Sequence, residues 1–302
     1  MTNQRIVSID FLRGLTIALM ILVNNPGNWG ELFTPFSHAH WEGATSTDLI
    51  FPFFIFIVGA SIAFSMLSKV SDSANHSRLI LKVIKRGVII FLLGFLKDNF
   101  PFIIDTAEGY VFKPFDSWRI MGVLQRIGLV YVFAGIIFIK TNWKQQVGII
   151  ASILLGYWAL LNIEIEGAYV LELGKYAGGN IVTYFDNIIL GDNHMWKPVN
   201  VEAGYVLGWE PEGLLSTIPA IATCLLGVLA GAWIKKDLEL LEKIVGLFAV
   251  GALLTAISLL WNLVFPFNKG LWSSSYVLYA GGIALMSTCL LYTSDAADEE
   301  DS

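Results

Sequence analysis

The segment NNPGNWGELFTPFSHAHWEGATSTDLIFPFF, residues 24 to 54, holds the side chains best suited to chemistry. It contains the adjacent amides Asn24 and Asn25, a His-x-His pair at His38 and His40, the indole of Trp41 and the carboxylate of Asp48, with no lysine or arginine among them. Imidazole is the side chain that titrates near neutrality without perturbation, so His38 and His40 are candidate general bases. Residues two apart point in different directions on a helix, which leaves one of the two for a site. No metal is expected there, because the pair lacks a third and fourth ligand nearby and Cys224 and Cys289 lie elsewhere, in apolar stretches. Each residue also has a plain structural use. Asn24 and Asn25 precede Pro26 and Gly27 and punctuate a helix end. STDLIFPFF starts a helix, with Asp48 favoured in its first turn and Pro52 tolerated soon after. Loop histidines often do no more than face solvent or cap backbone.

Ionisable groups recur within apolar runs. In RIVSIDFLRGLTIALMILVNN, Asp10 and Arg13 are one helical turn apart, and about 100° per residue puts Asp10, Arg13, Ile17, Met20 and Asn24 on one stripe. At about 1.5 Å per residue, Asp10 and Asn24 are roughly 21 Å apart. Such a pair either closes on itself to pack helices or lines a path. In RIMGVLQRIGLVYVF, Arg119 and Arg126 share a face beside Gln125. Arg126 is too deep to snorkel and calls for an anionic partner: Asp10, Asp48 or a ligand. LILKVIKRGVII gathers Lys82, Lys85 and Arg86, which either anchor a helix end or hold the phosphates of a cofactor. Glu210 and Glu212 of EPEG suit sugar hydroxyls or an amine, or simply a helix N-terminus.

The elements that must position these groups are set by composition. The 302 residues are 55% hydrophobic and 15% charged, with a mean hydropathy of +0.65. Ordinary soluble domains carry about 25% charged residues. The apolar excess lies in eight blocks of the roughly 20 residues that a bilayer-spanning helix needs: about 6–25, 47–67, 79–97, 119–139, 146–163, 214–234, 243–265 and 271–291. Backbone polar groups in lipid must be satisfied within each segment, so the expected fold is all-α, a polytopic transmembrane helical bundle. The first block is no cleaved leader, since it carries Asp10 and Arg13 and lacks a small-x-small site.

Basic residues orient the spans. With the N-terminus cytosolic, the inner segments hold Arg5, Lys69, Arg78, Lys82, Lys85, Arg86, Lys140, Lys144, Lys235, Lys236 and Lys243, eleven in all. The outer segments hold six: Lys97, Lys113, Arg119, Lys175, Lys197 and Lys269. That orientation puts 24–46, 98–118, a long loop at about 164–213 and 266–270 outside. The long loop has short apolar runs split by Gly and Asn and reads as an extracytoplasmic cap. Residues 1–288 form the membrane domain in this reading. The terminal CLLYTSDAADEEDS resembles the translation of a sequencing-library transposon end, so 289–302 read as a scar and the chain as C-terminally truncated.

Together, SIDFLRGLTIALMILVNNPG, FSHAHWEGATSTDLIFPFFIFIVGASI, WRIMGVLQRIGLVY, GWEPEGLLSTIPAIATCLLGVLAG and FNKGLWSSSYV resemble the heparan-α-glucosaminide N-acetyltransferase family of membrane acyltransferases, its bacterial members in particular. The likeness covers most of the chain in order. It implies transfer of acetyl from cytosolic acetyl-CoA, as co-substrate, to an amino-sugar or glycan acceptor across the bacterial cytoplasmic membrane. It also implies about eleven spans of bilayer length, against eight here. It places the active-site histidine on His38 and the active-site asparagine on Asn24. His38 would then deprotonate the acceptor amine or carry the acetyl group transiently, and the Asn24 amide would stabilise the oxyanion. Arg13, Lys82, Lys85, Arg86 and Arg126 become candidates for the cofactor, and Asp48, Trp41, Glu210 and Glu212 for the acceptor. The lipid bilayer is the expected partner, nucleic acid is not, and a homodimer is left open. A rival reading of the intramembrane charges is an ion-coupled transporter of a sugar or small anion, against which no inverted repeat is visible. A third is a structural membrane partner whose ion pairs only hold helices together.

Overall fold

The computed structural model describes residues 7–106, 109–163, 180–196 and 209–300. Eight long helices fall on the eight expected spans: α1 (Val7–Asn24), α2 (Ser46–Val70), α3 (His76–Asn99), α4 (Val123–Lys140), α5 (Trp143–Leu161), α7 (Leu214–Ile234), α8 (Leu240–Asn262) and α9 (Ser274–Glu300). A short amphipathic helix, α6 (Ile181–Leu190), precedes α7. An antiparallel hairpin joins β1 (Ile103–Thr106) to β2 (Gly109–Phe112), with Ile103 opposite Phe112. Among the described residues, six helices (α2, α4, α5, α7, α8 and the Ser274–Thr293 part of α9) are long and apolar enough to cross a membrane. The protein is an all-α polytopic membrane protein. Residues 164–179 and 197–208 of the expected cap loop lie outside the described residues, as do Lys175 and Lys197. The backbone of α9 continues helically past Thr288, where the sequence suggested a scar.

Lipid tails are as apolar as leucine, so these helices gain little from hydrophobic burial against one another and rely on close backbone approach. Glycines supply that approach in reciprocal pairs. On α2 and α7, a Cβ at Gly59 would lie 1.9 Å from the Cys224 carbonyl oxygen, and one at Gly227 would lie 1.9 Å from that of Phe56. Gly87 and Gly128 bring α3 against α4 in the same way, each Cβ position 2.7–2.8 Å from the other's carbonyl oxygen. Gly251 and Gly282 do so for α8 and α9. The α2–α7 pair forms the bundle's centre, with Ala60, Ala63, Ala220, Ala222 and Leu225 fully buried.

The connections are lopsided. At one end of the bundle the links are short: 71–75, 141–142 and 235–239. At the other, the described parts of the longer connections, in 25–45, 100–122, 180–196, 209–213 and 263–273, lie around the starts of α2, α4, α7 and α9. These long connections build the site.

Close packing makes a direct prediction. Gly227→Ala should overpack α2 against α7 and cost about 1–3 kcal/mol. Gly148→Ala in α5, where a Cβ meets nothing within 4 Å, should be neutral or slightly stabilising. Thermal unfolding of the detergent-solubilised variants checks both.

Candidate active site

Asp48 is the third residue of α2, and its side chain is 1% exposed. TSTD follows the capping-box pattern, in which the third helical residue reaches back to the cap residue's amide. Asp48 Oδ2 accepts from the backbone N–H of Thr45 at 3.0 Å, the Thr45 hydroxyl at 3.1 Å and the N–H of Ala39 at 3.0 Å. Oδ1 lies 2.6 Å from His38 Nδ1. A carboxylate only accepts, so the proton of this bond sits on Nδ1 and leaves Nε2 as the basic nitrogen. The His38 side chain is 48% exposed and opens into a cavity. A helix cap has thus become an orienting group for an imidazole.

The third member of this cluster comes from the far end of the chain. Lys269 Nζ lies 3.1 Å and 3.4 Å from His38 Nδ1 and Nε2, and 3.6 Å from Asp48 Oδ1. Its loop is rigid. Asn268 Oδ1 accepts from Leu271 N–H at 2.8 Å, Ser273 N–H reaches the Asn268 carbonyl at 3.0 Å, and the Tyr157 hydroxyl holds the Leu271 carbonyl at 2.6 Å. Gly43 ties the His38 loop to the same turn through a 2.8 Å bond from its N–H to the Phe267 carbonyl. Gly43 has φ +101°, a conformation that glycine adopts freely. Burial pushes the Lys269 ammonium down from its ordinary pKa, and the Asp48 carboxylate pushes back.

The cavity measures about 390 Å³ and has tryptophan walls: Trp41, Trp196, Trp209 and Trp272. Trp209 meets Trp41 and Trp196 edge to face, with centroids 5.9 Å and 5.8 Å apart. Trp272 is held at φ 54°, a costly conformation for a bulky residue. Its indole N–H donates to the Thr223 hydroxyl at 3.1 Å, and Arg126 lies 5.0 Å from the ring centroid. Aromatic faces with a few charged groups between them suit a sugar ring.

Arg119 and Arg126 do different work. Arg119 forks onto Glu210, with Nε at 2.8 Å from Oε2, and also reaches Glu212 at 3.0 Å. Burial works against its charge, but the two carboxylates outweigh that and raise its pKa. Glu210 is buried and committed to this fork, whereas Glu212 faces the cavity. Arg126 is fully buried. Among the described residues no carboxylate bonds it: Nη2 donates to the carbonyl of Pro211 at 2.9 Å and to the Ser216 hydroxyl, so neither Asp10 nor Asp48 is its partner. Asp186 of α6 caps α7 from outside, accepting from Leu214 and Leu215 N–H at 3.0 Å and 3.1 Å.

A second cavity, about 530 Å³, runs between α1, α2, α3 and α4. Phe54, Ile57, Val58, Ile90, Leu124 and Ile127 make its apolar walls, and Arg13, Ser61 and Arg86 its polar end. Arg13 pairs with Asp10 at 3.0 Å and donates to Ser61 at 2.8 Å. Arg86 is about 15 Å along α3 from His76 at 1.5 Å per residue, well inside the helix. Lys82 and Lys85 are exposed and line neither cavity, and Ile17 and Met20 are likewise outside both. Asn24 is exposed, its amide donating to the Met20 carbonyl at 2.9 Å. The structure therefore brings His38, Trp41, Asp48, Arg126 and Glu212 into one cavity and Arg13 and Arg86 into the other, and leaves Asn24, Lys82 and Lys85 outside. His40 lines the first cavity as well. Lys269 and Trp209 were not singled out from the sequence. A lone lysine beside glycine in FNKGLW carries no local sign that it will meet a histidine 231 residues away.

A family model described as heparan-alpha-glucosaminide N-acetyltransferase, catalytic, matches residues 5–185. Similar curated proteins include the heparan-alpha-glucosaminide N-acetyltransferase of Mus musculus, 29% identical over 335 aligned positions that cover 96% of this chain and 49% of the relative. That of Homo sapiens is 30% identical over 336 positions, covering 95% and 48%. The chain spans about half the length of the curated relatives it matches. His38, Asp48, Arg119 and Arg126 fall inside the family match, while Glu210, Glu212 and Lys269 lie beyond it.

Removing one partner of a buried ion pair leaves the other charge uncompensated, at about 3–5 kcal/mol. Glu210→Ala should therefore lower the melting temperature steeply. The double variant Arg119→Met with Glu210→Leu should recover much of the loss. Equal melting of Glu210→Ala and the parent would show that the fork is not formed.

Proposed function

The chain belongs to the heparan-α-glucosaminide N-acetyltransferase family, and from that premise we propose that it moves acetyl from acetyl-CoA to the amine of a glucosamine-type sugar bound in the tryptophan-walled cavity. The observation that carries this reading is the His38–Asp48 pair, an oriented imidazole opening onto a cavity of sugar-binding character. We place that end of the bundle at the extracytoplasmic face of a bacterial cytoplasmic membrane, on the eleven-to-six excess of basic residues that the sequence assigns to the opposite segments.

The second cavity fits the donor. Its apolar walls suit an extended thioester arm, and its two guanidinium groups suit phosphate. In this reading Arg13 and Arg86 hold acetyl-CoA, whereas the exposed Lys82 and Lys85 only attract it towards the cytosolic mouth. The two cavities are built on the same helices: α2 supplies Asp48 to the first and Phe54 to the second, about 9 Å apart along the axis at 1.5 Å per residue, and α4 supplies Arg126 to the first and Leu124 to the second. When bound, acetyl-CoA supplies an acetyl group activated as a thioester.

The chain's own residues do the rest. Asp48 fixes the His38 ring by accepting the Nδ1–H bond. His38 Nε2 takes the proton that the attacking amine must lose and returns it to the departing sulfur. Trp41, Trp196 and Trp209 hold the sugar ring, with Glu212 positioned for a hydroxyl or the amine. Asn24 joins as an oxyanion donor only if the 25–37 segment folds inward and releases its amide from Met20.

Membranes from cells expressing the protein, given labelled acetyl-CoA and glucosamine, test the proposal. Label should reach the sugar amine, falling by about 10²–10⁴ in His38→Ala and by about 10² or more in Asp48→Asn, whose ring orientation is lost. Undiminished transfer in His38→Ala, or sugar uptake with no acetylation, would overturn it.

A further inference from the structure

Acyl transfer to an amine puts negative charge on the donor's carbonyl oxygen, and some group must meet it. Of the cations at the first cavity, Arg119 is engaged by Glu210 and Glu212. Arg126 is engaged by Pro211 and Ser216 and covered by Trp272, and its two remaining nitrogens, Nε and Nη1, are buried without a hydrogen-bond partner among the described residues, whereas the Lys269 side chain is 27% exposed. Lys269 is different. Its ammonium has three donors on a flexible four-carbon stem. Its contacts, at 3.1, 3.4 and 3.6 Å, are to the imidazole and carboxylate that the reaction uses. Hydrogen bonds through Asn268, Ser273 and Tyr157 brace the loop beneath it, so rotation of the side chain is the least costly way for the ammonium to move.

We propose that Lys269 is the cation of the transfer site: in the resting site its ammonium lies against the His38 ring, 3.1 Å from Nδ1 and 3.4 Å from Nε2, and during transfer it turns to the oxygen on which charge develops. This rests on the acetyltransferase reading above. The acceptor nitrogen must approach Nε2 to give up its proton, and the carbonyl it attacks is one bond further on. An ammonium already 3.4 Å from Nε2 reaches that oxygen by side-chain rotation. The amine lone pair forms the new C–N bond, the C–S bond breaks, and the amine proton passes through Nε2 to the sulfur. Lys269 keeps its protons throughout. In the resting site it excludes other proton donors from the base until an acceptor displaces it.

The groups facing Lys269 are His38 of the 25–45 connection, Asp48 of α2, Glu212 before α7 and Arg126 of α4, with Arg119 and His40 also on the cavity wall. Burial opposes its charged form, as does Arg126, and the two carboxylates favour it. Its protonated form is present at low pH and is lost as pH rises. The alkaline loss of activity therefore comes below the value of about 10.4 of an ordinary lysine.

Three measurements test the assignment. In Lys269→Gln, kcat should fall by about 10²–10³ while the acceptor KM changes little, and Lys269→Arg should keep most of the rate. In Lys269→Arg the alkaline limb of the pH profile should disappear, which a merely structural lysine would not produce. Independently of turnover, carbethoxylation of His38 by diethyl pyrocarbonate, followed by peptide mass spectrometry, should be faster in Lys269→Gln than in the parent. A kcat within twofold of the parent, an unmoved alkaline limb or an unchanged His38 modification rate would each overturn the proposal. Absence of transfer by the parent would instead strike the acetyltransferase reading, and the modification rates would still decide whether Lys269 covers His38.

Discussion

A single buried carboxylate organises this end of the molecule. Asp48 accepts from two backbone amides, a hydroxyl and an imidazole, and it attracts an ammonium. Burying a charge is tolerable only when its lone pairs find partners, and here the partners come from two separate stretches of chain, the 38–45 loop and Lys269. The same bonds that make Asp48 affordable start α2, close the 37–45 loop and fix the tautomer of His38. Structure and chemistry share one set of contacts, so the base is oriented wherever the helix start is formed.

The membrane imposes the second constraint. Spans with satisfied backbones and glycine-paired contacts form a rigid frame, and irregular backbone is confined to the ends. Among the described residues, most of the irregular backbone lies at one end. Tight turns at the opposite end keep helices antiparallel, while long connections carry His38, Trp41, Glu212 and Lys269 into one cavity. Arg126, buried in the first turn of α4, binds the 209–216 stretch from beneath through Pro211 and Ser216, and so keeps Glu212 and Trp209 against the cavity.

Much of this was legible in the residues. Eight apolar blocks became eight helices because bilayer length and backbone satisfaction leave few alternatives. TSTD announced a cap, and Asp10 with Arg13 announced a pair, because both are local contacts set by helical spacing. His38 stood out through residue type. What stayed hidden was long-range. Nothing near Arg126 says that it will bond carbonyls rather than a carboxylate, and nothing near Lys269 says that it will meet His38. The stripe from Asp10 to Asn24 was real as helical geometry, but only Arg13 of it lines the slot, because α2, α3 and α4 supply the other walls. Asn24 shows how a helix-end amide satisfies its own turn when nothing else is within reach. The glycine pairs were also unread, since a glycine's partner in a bundle lies on another helix.

The central claim is that Asp48 holds the proton on Nδ1 of His38 and so leaves Nε2 basic. Nitrogen-15 NMR of histidine-labelled protein in lipid nanodiscs, with His38 assigned by its loss in His38→Gln, reads the tautomer directly. The account predicts a protonated Nδ1 and an unprotonated Nε2 in the neutral ring, and a mixture of tautomers in Asp48→Asn. A neutral ring protonated on Nε2 in the parent, or a tautomer indifferent to Asp48→Asn, would contradict it.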